Sequence, residues 1–507
     1  MSWDLDALVQ GIVPEAPGRR LAPSLPVSGL ARDSRAVRPG ELFVAVPGTR
    51  HDGAAYARDA AARGACAVVA ERALPELSLH GVPVLVVPHA ARALGLLADR
   101  FWGEPSREVG VVGVTGTNGK TTTTFLTQAL LARSGRPTAL LGTVCTRVAG
   151  QQRVAKQTTP CVLETQAALA AARAAGERHL VMEVSSHALD QERVAGVRFR
   201  VGVFTNLTRD HLDYHGTLEA YGAAKARLFE ALERGGVAVL NARDPFSARI
   251  AASTRAEVLR YAWVPAREPW PAIEVAARVE SEDAQGTAVR LRLYGRELTL
   301  VVARRLPLLG RFNVENALAA AGAALALGVP PDEVAGALSD CPSVPGRLER
   351  VAGPAPGPTV LVDYAHTPDA LERVLSALRP LTPGRLWVVF GCGGERDRGK
   401  RGPMGLAALR HADHAILTSD NPRSEDPAAI VEDVLSGCPR QALEQGALEV
   451  ELDREAAIVR AVRAAGPGDV VVLAGKGHET VQEIGGRALP FDDREVARLA
   501  LTLARAS

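Results

Sequence analysis

The chain has 507 residues, enough for two to four domains, and 47% of them are hydrophobic, which is ample for several cores. Its net charge of +2 and aromatic content of 4% argue against the basic or base-stacking surfaces of nucleic-acid and membrane-surface proteins. No pair of its six cysteines has C-x-x-C spacing, so neither a zinc site nor a disulfide framework is indicated. The first residues lack a signal-peptide pattern, and the longest apolar run, near 317–329, is too short to span a bilayer. We therefore expect a soluble cytoplasmic protein.

The first part of the chain, up to about residue 105, predicts a small α/β domain. Short apolar segments indicate strands at residues 42–47, 65–70 and 82–88, with alanine-rich helices among them.

The most informative segment is VVGVTGTNGKTTTTF at residues 111–125. It predicts a buried strand, a glycine-containing turn and a helix. Gly116 and Gly119 would let backbone N–H groups face an anion at the start of that helix. Lys120 could reach the β- and γ-phosphates of a nucleotide, and a threonine after it could ligate Mg²⁺. Although the first glycine falls one residue early for the strict P-loop pattern, nucleotide binding is favoured over a simple tight turn.

Alternating β and α segments continue through the middle of the chain. Strands predicted at 179–184, 201–206 and 236–241 indicate a mainly parallel sheet flanked by helices. Between residues 274 and 302 the pattern changes to period two, which predicts a hairpin with its turn at Tyr294-Gly295-Arg296.

Polar residues follow the predicted strands at the end where ligands bind in open α/β sheets. Glu183 ends an apolar strand, where a carboxylate is costly unless it holds a cation, so a Mg²⁺ ligand is indicated. The alternative is a helix-capping or salt-bridged glutamate. The next strand is followed by a group that indicates a second metal or phosphate contact: Asn206, Asp210, His211, Asp213 and His215. Helical spacing alone makes Lys225 an ordinary surface lysine.

A third α/β domain is predicted from about residue 342, after a proline- and glycine-containing linker. Its strands are TVLVDYA, LWVVFG, HAILTSD and DVVVLAG. Each is followed by polar residues: Asp363, Tyr364 and His366; Arg396, Asp397 and Lys400; Asp420, Asn421 and Arg423; and Lys476, His478 and Glu479. We expect these loops to share one rim of a sheet, facing a ligand.

The order of motifs along the chain resembles the Mur ligases. The segments that carry the resemblance are DSRAVRPGELFVAVPGTRHDG, GTNGKTTTT, MEVSSHALDQERV, NLTRDHLDYHG, AAKARLF, GRFNVENALAA, VPGRLE, VDYAHTPDAL, GCGGERDRGKR, DNPR and AGKGHE. The resemblance implies an α/β, three-domain architecture with a central P-loop ATPase-like parallel sheet and a C-terminal Rossmann-like domain. The implied domains are 1–105 for the UDP-muramoyl substrate, 106–341 for ATP and 342–507 for the amino acid.

The resemblance also implies an activity, the ATP-dependent addition of meso-diaminopimelate to UDP-N-acetylmuramoyl-L-alanyl-D-glutamate through an acyl phosphate. Mg²⁺ is the implied cofactor and ATP a co-substrate, with no nucleic acid or membrane as partner. We expect a monomer. Two alternatives stay open: another ligase of this superfamily, such as an L-lysine-adding or folylpolyglutamate-type enzyme, and a nucleotide-binding protein without ligase activity or a transport or motor NTPase.

Individual residues receive roles from the same resemblance. The implied catalytic residues are Lys120, Glu183, His211 and Lys225, the last carried as a carbamate (N6-carboxylysine). The implied metal ligands are Thr121, Glu183, His211 and the Lys225 carbamate. The implied ATP contacts are Gly116, Thr117, Asn118, Gly119, Lys120, Thr121, Thr122, Asn313, Arg347 and Asp363. The implied contacts with the UDP-muramoyl dipeptide are Ser34, Thr158, Thr159, Ser185, Gln191 and Arg193. The implied diaminopimelate contacts are Arg396, Asp420, Asn421, Arg423, Gly475 and Glu479.

Arg423 is the residue that we expect to hold the distal carboxylate of diaminopimelate, because its planar fork can donate two parallel hydrogen bonds. Asp420 and Asn421 would hold the distal ammonium and carboxylate nearby. The alternative is that Arg423 only caps a turn or pairs with Glu425 or Asp426.

Overall fold

The computed structural model describes residues 2–14, 25–48, 52–78, 81–283, 286–299, 309–353 and 356–503. The chain forms two compact units, Met1–Tyr261 with Ala319–Pro330 and Ala262–Leu318 with Pro331–Ser507. Within the described ranges, no helix has both the length and the apolar character needed to cross a bilayer.

The N-terminal part of the first unit is a small α/β layer. Its elements are β1 (Trp3–Asp4), α1 (Leu5–Val9), β2 (Pro26–Val27), β3 (Gly29–Ala31), β4 (Glu41–Val44), α2 (Ala57–Ala62), β5 (Ala67–Ala70), α3 (Pro75–Ser78), β6 (Val84–Val86) and α4 (Ala90–Phe101). Strands β3, β4, β5 and β6 form a parallel sheet in that order. Buried Leu42, Val69 and Leu85 pack in one core with Leu94 and Leu97 of α4. The three strands predicted here are confirmed, each shorter than its apolar segment.

The larger sheet of the first unit carries the phosphate loop. Its elements are β7 (Gly110–Thr115), α5 (Lys120–Arg133), β8 (Thr138–Leu141), β9 (Cys145–Val148), β10 (Gln151–Val154), α6 (Val162–Ala174), β11 (His179–Glu183), α7 (Ser186–Asp190), β12 (Phe199–Phe204), α8 (Leu212–His215), α9 (Leu218–Glu230), β13 (Leu232–Asn241), α10 (Phe246–Ser253) and β14 (Glu257–Trp263). The order β10-β9-β8-β11-β7-β12-β13-β14 is parallel from β8 to β14. Among these strands, β9 pairs antiparallel with β8 and with β10.

The strand order decides where the site lies. Strand β7 lies between β11 and β12, so the phosphate loop, Glu183 and the residues after Phe204 emerge side by side. Within β7, Gly113 lets the strand pack closely against Phe199 and Leu228, since a Cβ at this position would lie 2.8 Å from the Phe199 ring and 2.9 Å from Leu228. The parallel sheet predicted from the sequence is therefore confirmed, and the predicted site residues follow three adjacent strands.

The second unit begins with an antiparallel group, β15 (Val275–Asp283), β16 (Gly286–Leu293) and β17 (Arg296–Thr299). Helix α11 (Arg311–Ala326) follows, with its residues from Ala319 onward in the first unit, and then α12 (Pro331–Ser339). The predicted hairpin is confirmed between β16 and β17, where Tyr294 and Gly295 form the turn with φ of +48° and +79°. Arg296, which we expected in the turn, already pairs with Leu293 as the first residue of β17. Residues 300–302 of the predicted hairpin lie outside the described residues.

The C-terminal part of the second unit is a six-stranded α/β sheet. Its elements are β18 (Glu349–Val351), β19 (Thr359–Asp363), α13 (Pro368–Leu378), β20 (Leu386–Phe390), α14 (Arg401–His411), β21 (His414–Leu417), α15 (Pro427–Leu435), α16 (Arg440–Glu444), β22 (Leu448–Val450), α17 (Arg454–Ala464), β23 (Val470–Ala474), β24 (Val481–Ile484), β25 (Arg487–Pro490) and α18 (Asp493–Leu503). The order is β18-β19-β23-β20-β21-β22, parallel except for β18. All four strands predicted from the sequence are present, and β24 and β25 form a separate hairpin.

A fully buried ion pair joins the last two helices to this sheet. Arg454, at the start of α17, donates from Nε and Nη2 to the Asp493 carboxylate at 2.8 and 2.6 Å, and both side chains are 0% exposed. Arg454 Nη2 also donates to the Ala474 carbonyl at the end of β23, at 3.0 Å. The pair therefore holds α17 and α18 to the strand that precedes the 475–479 loop.

Asp493→Ala should lower the free energy of unfolding by about 3–5 kcal/mol, because it leaves the Arg454 guanidinium buried without its counter-charge. Urea denaturation would measure the change against Glu444→Ala, an exposed control expected to stay within about 0.5 kcal/mol of wild type. A loss below about 1 kcal/mol, typical of an exposed pair, would contradict this role.

Candidate active site

The phosphate loop between β7 and α5 has a backbone that only glycine accommodates at two positions. Gly116 has φ of +151°, and a Cβ there would lie 1.8 Å from Thr205 Oγ1. Gly119, the residue before α5, has φ of +84°. The turn predicted from the sequence is present, and it brings the chain directly into the first turn of the helix.

Residues after β12 hold this loop from the side. Asn206 accepts from the backbone N–H of Thr117 at 2.8 Å through its carbonyl and of Asn118 at 2.9 Å through its side chain. Thr205 Oγ1 donates to the Asn118 carbonyl at 2.6 Å. Because these two loop N–H groups are engaged within the protein, an anion would be bound by N–H groups of the first turn of α5, which have no intrahelical partner. That turn contains the nearly buried Thr121 and Thr122.

Two lysine side chains converge on one carbonyl oxygen of the loop. Lys120 Nζ donates to the carbonyls of Gly116 and Thr117, each at 2.9 Å. Lys225 Nζ, from α9, donates to the same Gly116 carbonyl at 2.9 Å. Lys225 is 1% exposed, so the spacing-based prediction of a surface lysine was wrong: α9 turns this position inward, over the ring of Tyr221.

The surroundings of Lys225 favour its neutral amine. Burial lowers the pKa of Lys225 well below the usual lysine value, and the charge on Lys120 lowers it further, while Asp210 opposes the shift. The Tyr221 ring, 4.2 Å from Nζ, favours the charged form, but a cation–π contact is worth only about 2 kcal/mol or a little more when desolvated. Burial of a charge costs more. Lys225 is thus a buried nucleophilic amine beside the phosphate loop.

Glu183, at the end of β11, accepts hydrogen bonds from two threonines. Its carboxylate accepts from Thr121 Oγ1 at 3.0 Å and from the N–H and Oγ1 of Thr143 at 2.7 and 3.0 Å. It is 1% exposed, and a Cβ on Gly142 would lie 2.7 Å from Glu183 Oε1. The alternative of a helix-capping or salt-bridged glutamate therefore does not describe its contacts.

This oxygen-rich set fits Mg²⁺, which is usually held by one or two carboxylates together with water and substrate phosphates. Within the described parts of the chain, no three His, Cys, Asp or Glu side chains gather into a metal cluster. A cation here would depend on Glu183, the Thr121 hydroxyl and the nucleotide itself.

His211 lies within a group of aromatic rings that the sequence did not reveal. Its ring centroid is 4.9 Å from that of His187 and 6.0 Å from that of Tyr221. His187 also contacts Tyr214 at 4.2 Å and His215 at 5.5 Å. Burial lowers the pKa of His211, against the effect of Asp210, so the neutral ring that a metal ligand requires is favoured.

The residues predicted to bind the UDP-muramoyl dipeptide surround the end of β11. Thr159 Oγ1 donates to the Glu183 carbonyl at 2.9 Å and accepts from Ser185 N at 3.0 Å. Thr158 Oγ1 accepts from Thr143 Oγ1 at 3.1 Å. Ser185 Oγ caps α7 by accepting from the N–H of Ala188.

Arg193 and Gln191 form a second polar group beside α7. Arg193 donates to Gln191 Oε1 from Nε at 3.0 Å and to Gln157 Oε1 from Nη1 at 3.0 Å. Burial lowers the pKa of Arg193, and the charge of Arg32 lowers it further. Arg32 is thus close, and the nearly buried Ser34 follows it in the chain. Two guanidinium groups close to each other suit a diphosphate-bearing substrate.

The remaining predicted ATP contacts belong to the second unit. Both oxygens of Asp363 accept backbone N–H groups, of Leu348 at 2.7 Å and Ala365 at 2.8 Å. Burial raises the pKa of Asp363, against the nearby Arg347. Arg347 lies over the Tyr364 ring at 4.6 Å. Asn313 is buried at the start of α11 and donates to the Leu309 carbonyl at 2.8 Å. These contacts position the 346–348 linker, and the proposed nucleotide contacts remain predictions.

The polar loops at the ends of β19, β20, β21 and β23 share one rim, as expected. A Cβ on Gly475, where φ is +114°, would lie 2.4 Å from Asp420 Oδ2, so only glycine lets these two loops meet. Asp420 is 7% exposed, and no described residue donates a hydrogen bond to its carboxylate. A buried carboxylate that receives no hydrogen bond from the described residues suits an incoming ammonium group.

Asn421 and Glu479 are already engaged with each other. Asn421 Nδ2 donates to Glu479 Oε2 at 2.8 Å. Lys476, which is fully buried, donates to Asn421 Oδ1 and Glu479 Oε2, both at 3.2 Å, and to the Val481 carbonyl at 2.6 Å. Lys476 thus supports two predicted diaminopimelate contacts. Arg396 is exposed on the neighbouring glycine loop.

Arg423 does not pair with Glu425 or Asp426, the alternative considered from the sequence. Glu425 instead pairs with the buried Arg401 at 2.9 Å. Arg423 Nε lies 2.9 Å from Glu483 Oε2, and its Nη1 donates to the Gly394 carbonyl at 2.7 Å.

Comparison with known proteins agrees with this geometry. The chain matches the "Mur ligase family, catalytic domain" over residues 26–102, the "Mur ligase middle domain" over 114–324 and the "Mur ligase, glutamate ligase domain" over 346–477. This chain belongs to the Mur ligase family.

Curated relatives carry the name UDP-N-acetylmuramoyl-L-alanyl-D-glutamate--2,6-diaminopimelate ligase. The protein from Thermosynechococcus vestitus is 48% identical over 94% of this Mur ligase and 93% of its own length. The one from Gloeobacter violaceus is 46% identical over 96% of both chains. A solved structure of the same name is 34% identical, covers 100% of both chains and has a TM-score of 0.72.

Sequence reasoning did not assign a role to several residues of this Mur ligase that hold the site in place. Thr143 and Tyr221 contact the predicted metal and carbamate residues, and neither falls in a recognisable motif position. Gln482 and Glu483 contact the amino-acid rim. The Gly485-Gly486 pair was the available signal for the hairpin that carries them.

Lys225→Met should raise the free energy of unfolding near neutral pH in carbon dioxide-free buffer, because it removes a buried amine. The pKa of Lys225 is lowered in the folded chain from 10.5, so the unfolded chain binds a proton that the folded chain releases. Wild-type stability should therefore rise with pH between neutrality and about pH 10, and the variant should show less of this rise. Urea denaturation at several pH values would measure it, and equal slopes for the two proteins would contradict the lowered pKa.

Proposed function

We propose that this Mur ligase is an ATP-dependent amide ligase that joins 2,6-diaminopimelate, in its meso form, to the D-glutamate of UDP-N-acetylmuramoyl-L-alanyl-D-glutamate. The observation that carries the proposal is the phosphate loop, where Lys120 and Lys225 meet at the Gly116 carbonyl beside Glu183. This arrangement occurs in a chain that is 46–48% identical in sequence to proteins named as diaminopimelate ligases, over almost its whole length. Since ATP and UDP-linked precursors are cytoplasmic, the same proposal places the enzyme in the cytoplasm.

The chemistry must convert a poor acyl donor into a good one. An oxygen of the D-glutamate γ-carboxylate attacks the γ-phosphorus of ATP, and ADP leaves. The amine of diaminopimelate then attacks the carbonyl carbon of the acyl phosphate, inorganic phosphate leaves and the amine loses a proton. Two anions must approach each other in the first step, so the main task of the protein is electrostatic screening and positioning.

Lys120 and the N-terminus of α5 are placed to neutralise the transferred phosphoryl group. Lys120 already lies against the loop carbonyls of Gly116 and Thr117 and would exchange them for phosphate oxygens. Mg²⁺, held by Glu183 and Thr121, would add positive charge between the phosphates and the carboxylate. His211 in its neutral form is a further ligand candidate.

Lys225 would complete this arrangement after reacting with carbon dioxide. Its neutral amine attacks the carbon of CO₂, loses a proton and becomes a carbamate anion. The change places an anion next to the Lys120 ammonium in place of a neutral amine, which is electrostatically favourable there, and would offer oxygen atoms to Mg²⁺.

The rim of the second unit would bind the diamino acid. Arg423 offers a guanidinium to the distal carboxylate, and Asp420 offers a buried carboxylate to an ammonium group. L-Lysine lacks the distal carboxylate, so Nη2 of Arg423 would have no ligand oxygen to accept its hydrogen bond, which disfavours L-lysine.

ADP release should require both the UDP-muramoyl dipeptide and the diamino acid, with meso-diaminopimelate the productive amine and L-lysine used at least about 10⁴-fold less efficiently. A coupled ADP assay with a panel of amines and of carboxylate acceptors would measure it. Turnover with L-lysine comparable to diaminopimelate, with a folyl acceptor, or with ATP alone would contradict the proposal and favour one of the alternative classes.

Lys225→Ala should lower kcat at least about 100-fold, because it removes charge organisation at the phosphoryl group. Short carboxylates or a Lys225→Glu replacement should restore part of the rate, and removal of bicarbonate should slow the wild type. Arg234→Ala, which removes an exposed cation, is the control and should keep wild-type activity. Full activity in Lys225→Ala would rule out the carbamate.

A further inference from the structure

The hairpin formed by β24 and β25 lies beyond the last family-matched residue, 477, and turns at Gly485-Gly486 with φ of +57° and +74°. Its first strand runs along the Asp420–Arg423 loop of the amino-acid rim. Arg423 and Ile484 form an isolated parallel bridge there. The hairpin is thus a structural neighbour of the residues proposed to bind the diamino acid.

Four hydrogen bonds join the hairpin to the loop. Arg423 N donates to the Glu483 carbonyl at 2.9 Å, and Gly485 N donates to the Arg423 carbonyl at 2.7 Å. Glu483 N donates to Asn421 Oδ1 at 3.0 Å, and Gln482 Nε2 donates to the Asp420 carbonyl at 2.8 Å. Each proposed ligand in this loop therefore has a backbone or side-chain contact with the hairpin.

These bonds hold Arg423 in a conformation that arginine seldom adopts. Its φ is +57°, in the left-handed region, which is uncommon for residues other than glycine, asparagine and aspartate. Such a conformation persists only where neighbouring groups enforce it. Here the hairpin backbone bonds both the N–H and the carbonyl of Arg423 and so supplies that constraint. The constraint fixes the direction in which the Arg423 side chain leaves the loop.

The Glu483 carboxylate then determines which edge of the guanidinium is accessible. Arg423 Nε is 2.9 Å from Glu483 Oε2, and Nη1 donates to the Gly394 carbonyl. Nη2 is the one nitrogen of the group for which the described residues provide no partner. A carboxylate ligand can bind a guanidinium at the Nε–Nη edge or at the end formed by Nη1 and Nη2. Glu483 lies at Nε and the Gly394 carbonyl accepts from Nη1, so Nη2 is the nitrogen left to donate to a ligand carboxylate.

We propose that Glu483 is a positioning residue that determines specificity for the diamino acid, by holding the Arg423 guanidinium so that its Nη2 donates to the distal carboxylate. This inference deepens the proposed function and rests on it. The side chains of Arg423 and Glu483 are 23% and 46% exposed, so the pair is partly solvated and contributes little to folding. Its effect is on orientation, to which substrate binding is sensitive.

Glu483→Ala should raise KM for diaminopimelate about tenfold, while kcat and KM for ATP change less than about twofold, because misplacement affects only contacts with the diamino acid. Glu483→Gln keeps an acceptor for Nε and the shape of the side chain, so its KM should lie between wild type and Glu483→Ala. Glu444→Ala, an exposed glutamate of α16, is the matched control and should leave all three constants unchanged.

A double-mutant cycle with Arg423→Ala separates positioning from a general structural effect. If Glu483 acts through Arg423, adding Glu483→Ala to Arg423→Ala should leave KM for diaminopimelate unchanged within about twofold. An unchanged or lowered KM in Glu483→Ala, or additive effects in the cycle, would overturn the inference. Wild-type enzyme without diaminopimelate-dependent ADP release would instead overturn the proposed function, so the two failures are distinguishable.

Discussion

The meeting of two lysine side chains at the Gly116 carbonyl oxygen is the interaction on which the first unit depends. Like charges at hydrogen-bond distance from one atom, one of them fully buried, repel strongly in a low-dielectric environment. The protein relieves this by favouring a neutral amine at Lys225, and a bound nucleotide would relieve it by drawing Lys120 toward phosphate. The geometry of Gly116, which has no space for a Cβ, brings the carbonyl to this meeting point. The loop is thus prepared for anions before any ligand arrives.

The amino-acid rim follows a different principle, in which supporting residues fix the groups that would meet the ligand. Lys476 lies under Asn421 and Glu479, and the hairpin holds Arg423 from both sides. The buried Arg454–Asp493 pair bonds the Ala474 carbonyl, directly before the 475–479 loop of the rim. Among the described residues of the rim, the Asp420 carboxylate and Nη2 of Arg423 have no hydrogen-bond partner and offer one group of each sign of charge. A zwitterionic distal group with an ammonium and a carboxylate matches this pair.

Most of the fold could be predicted from the sequence, because buried parallel strands are continuous apolar runs with polar residues at their ends. Gly116, Glu183 and Asp420 each stand at such an end, so their placement required no tertiary knowledge. The burial of Lys225 could not be predicted from periodicity, since a single lysine on a helix is expected to face solvent until the packing of that helix is known. The partner of Arg423 is 60 residues away in sequence and belongs to a short, exposed hairpin, so the sequence offered only the neighbouring Glu425 and Asp426 as alternative partners. Contacts of this kind depend on the loops that the tertiary fold brings together.

The central claim is that the phosphate loop activates the γ-carboxylate of D-glutamate as an acyl phosphate. Its most direct test uses UDP-muramoyl dipeptide labelled with ¹⁸O in that carboxylate, with mass analysis of the inorganic phosphate released during turnover. The account predicts that one labelled oxygen from the carboxylate appears in each phosphate, because the carboxylate oxygen becomes the bridging oxygen and leaves with phosphorus. Unlabelled phosphate, or release of AMP with pyrophosphate in place of ADP, would contradict it.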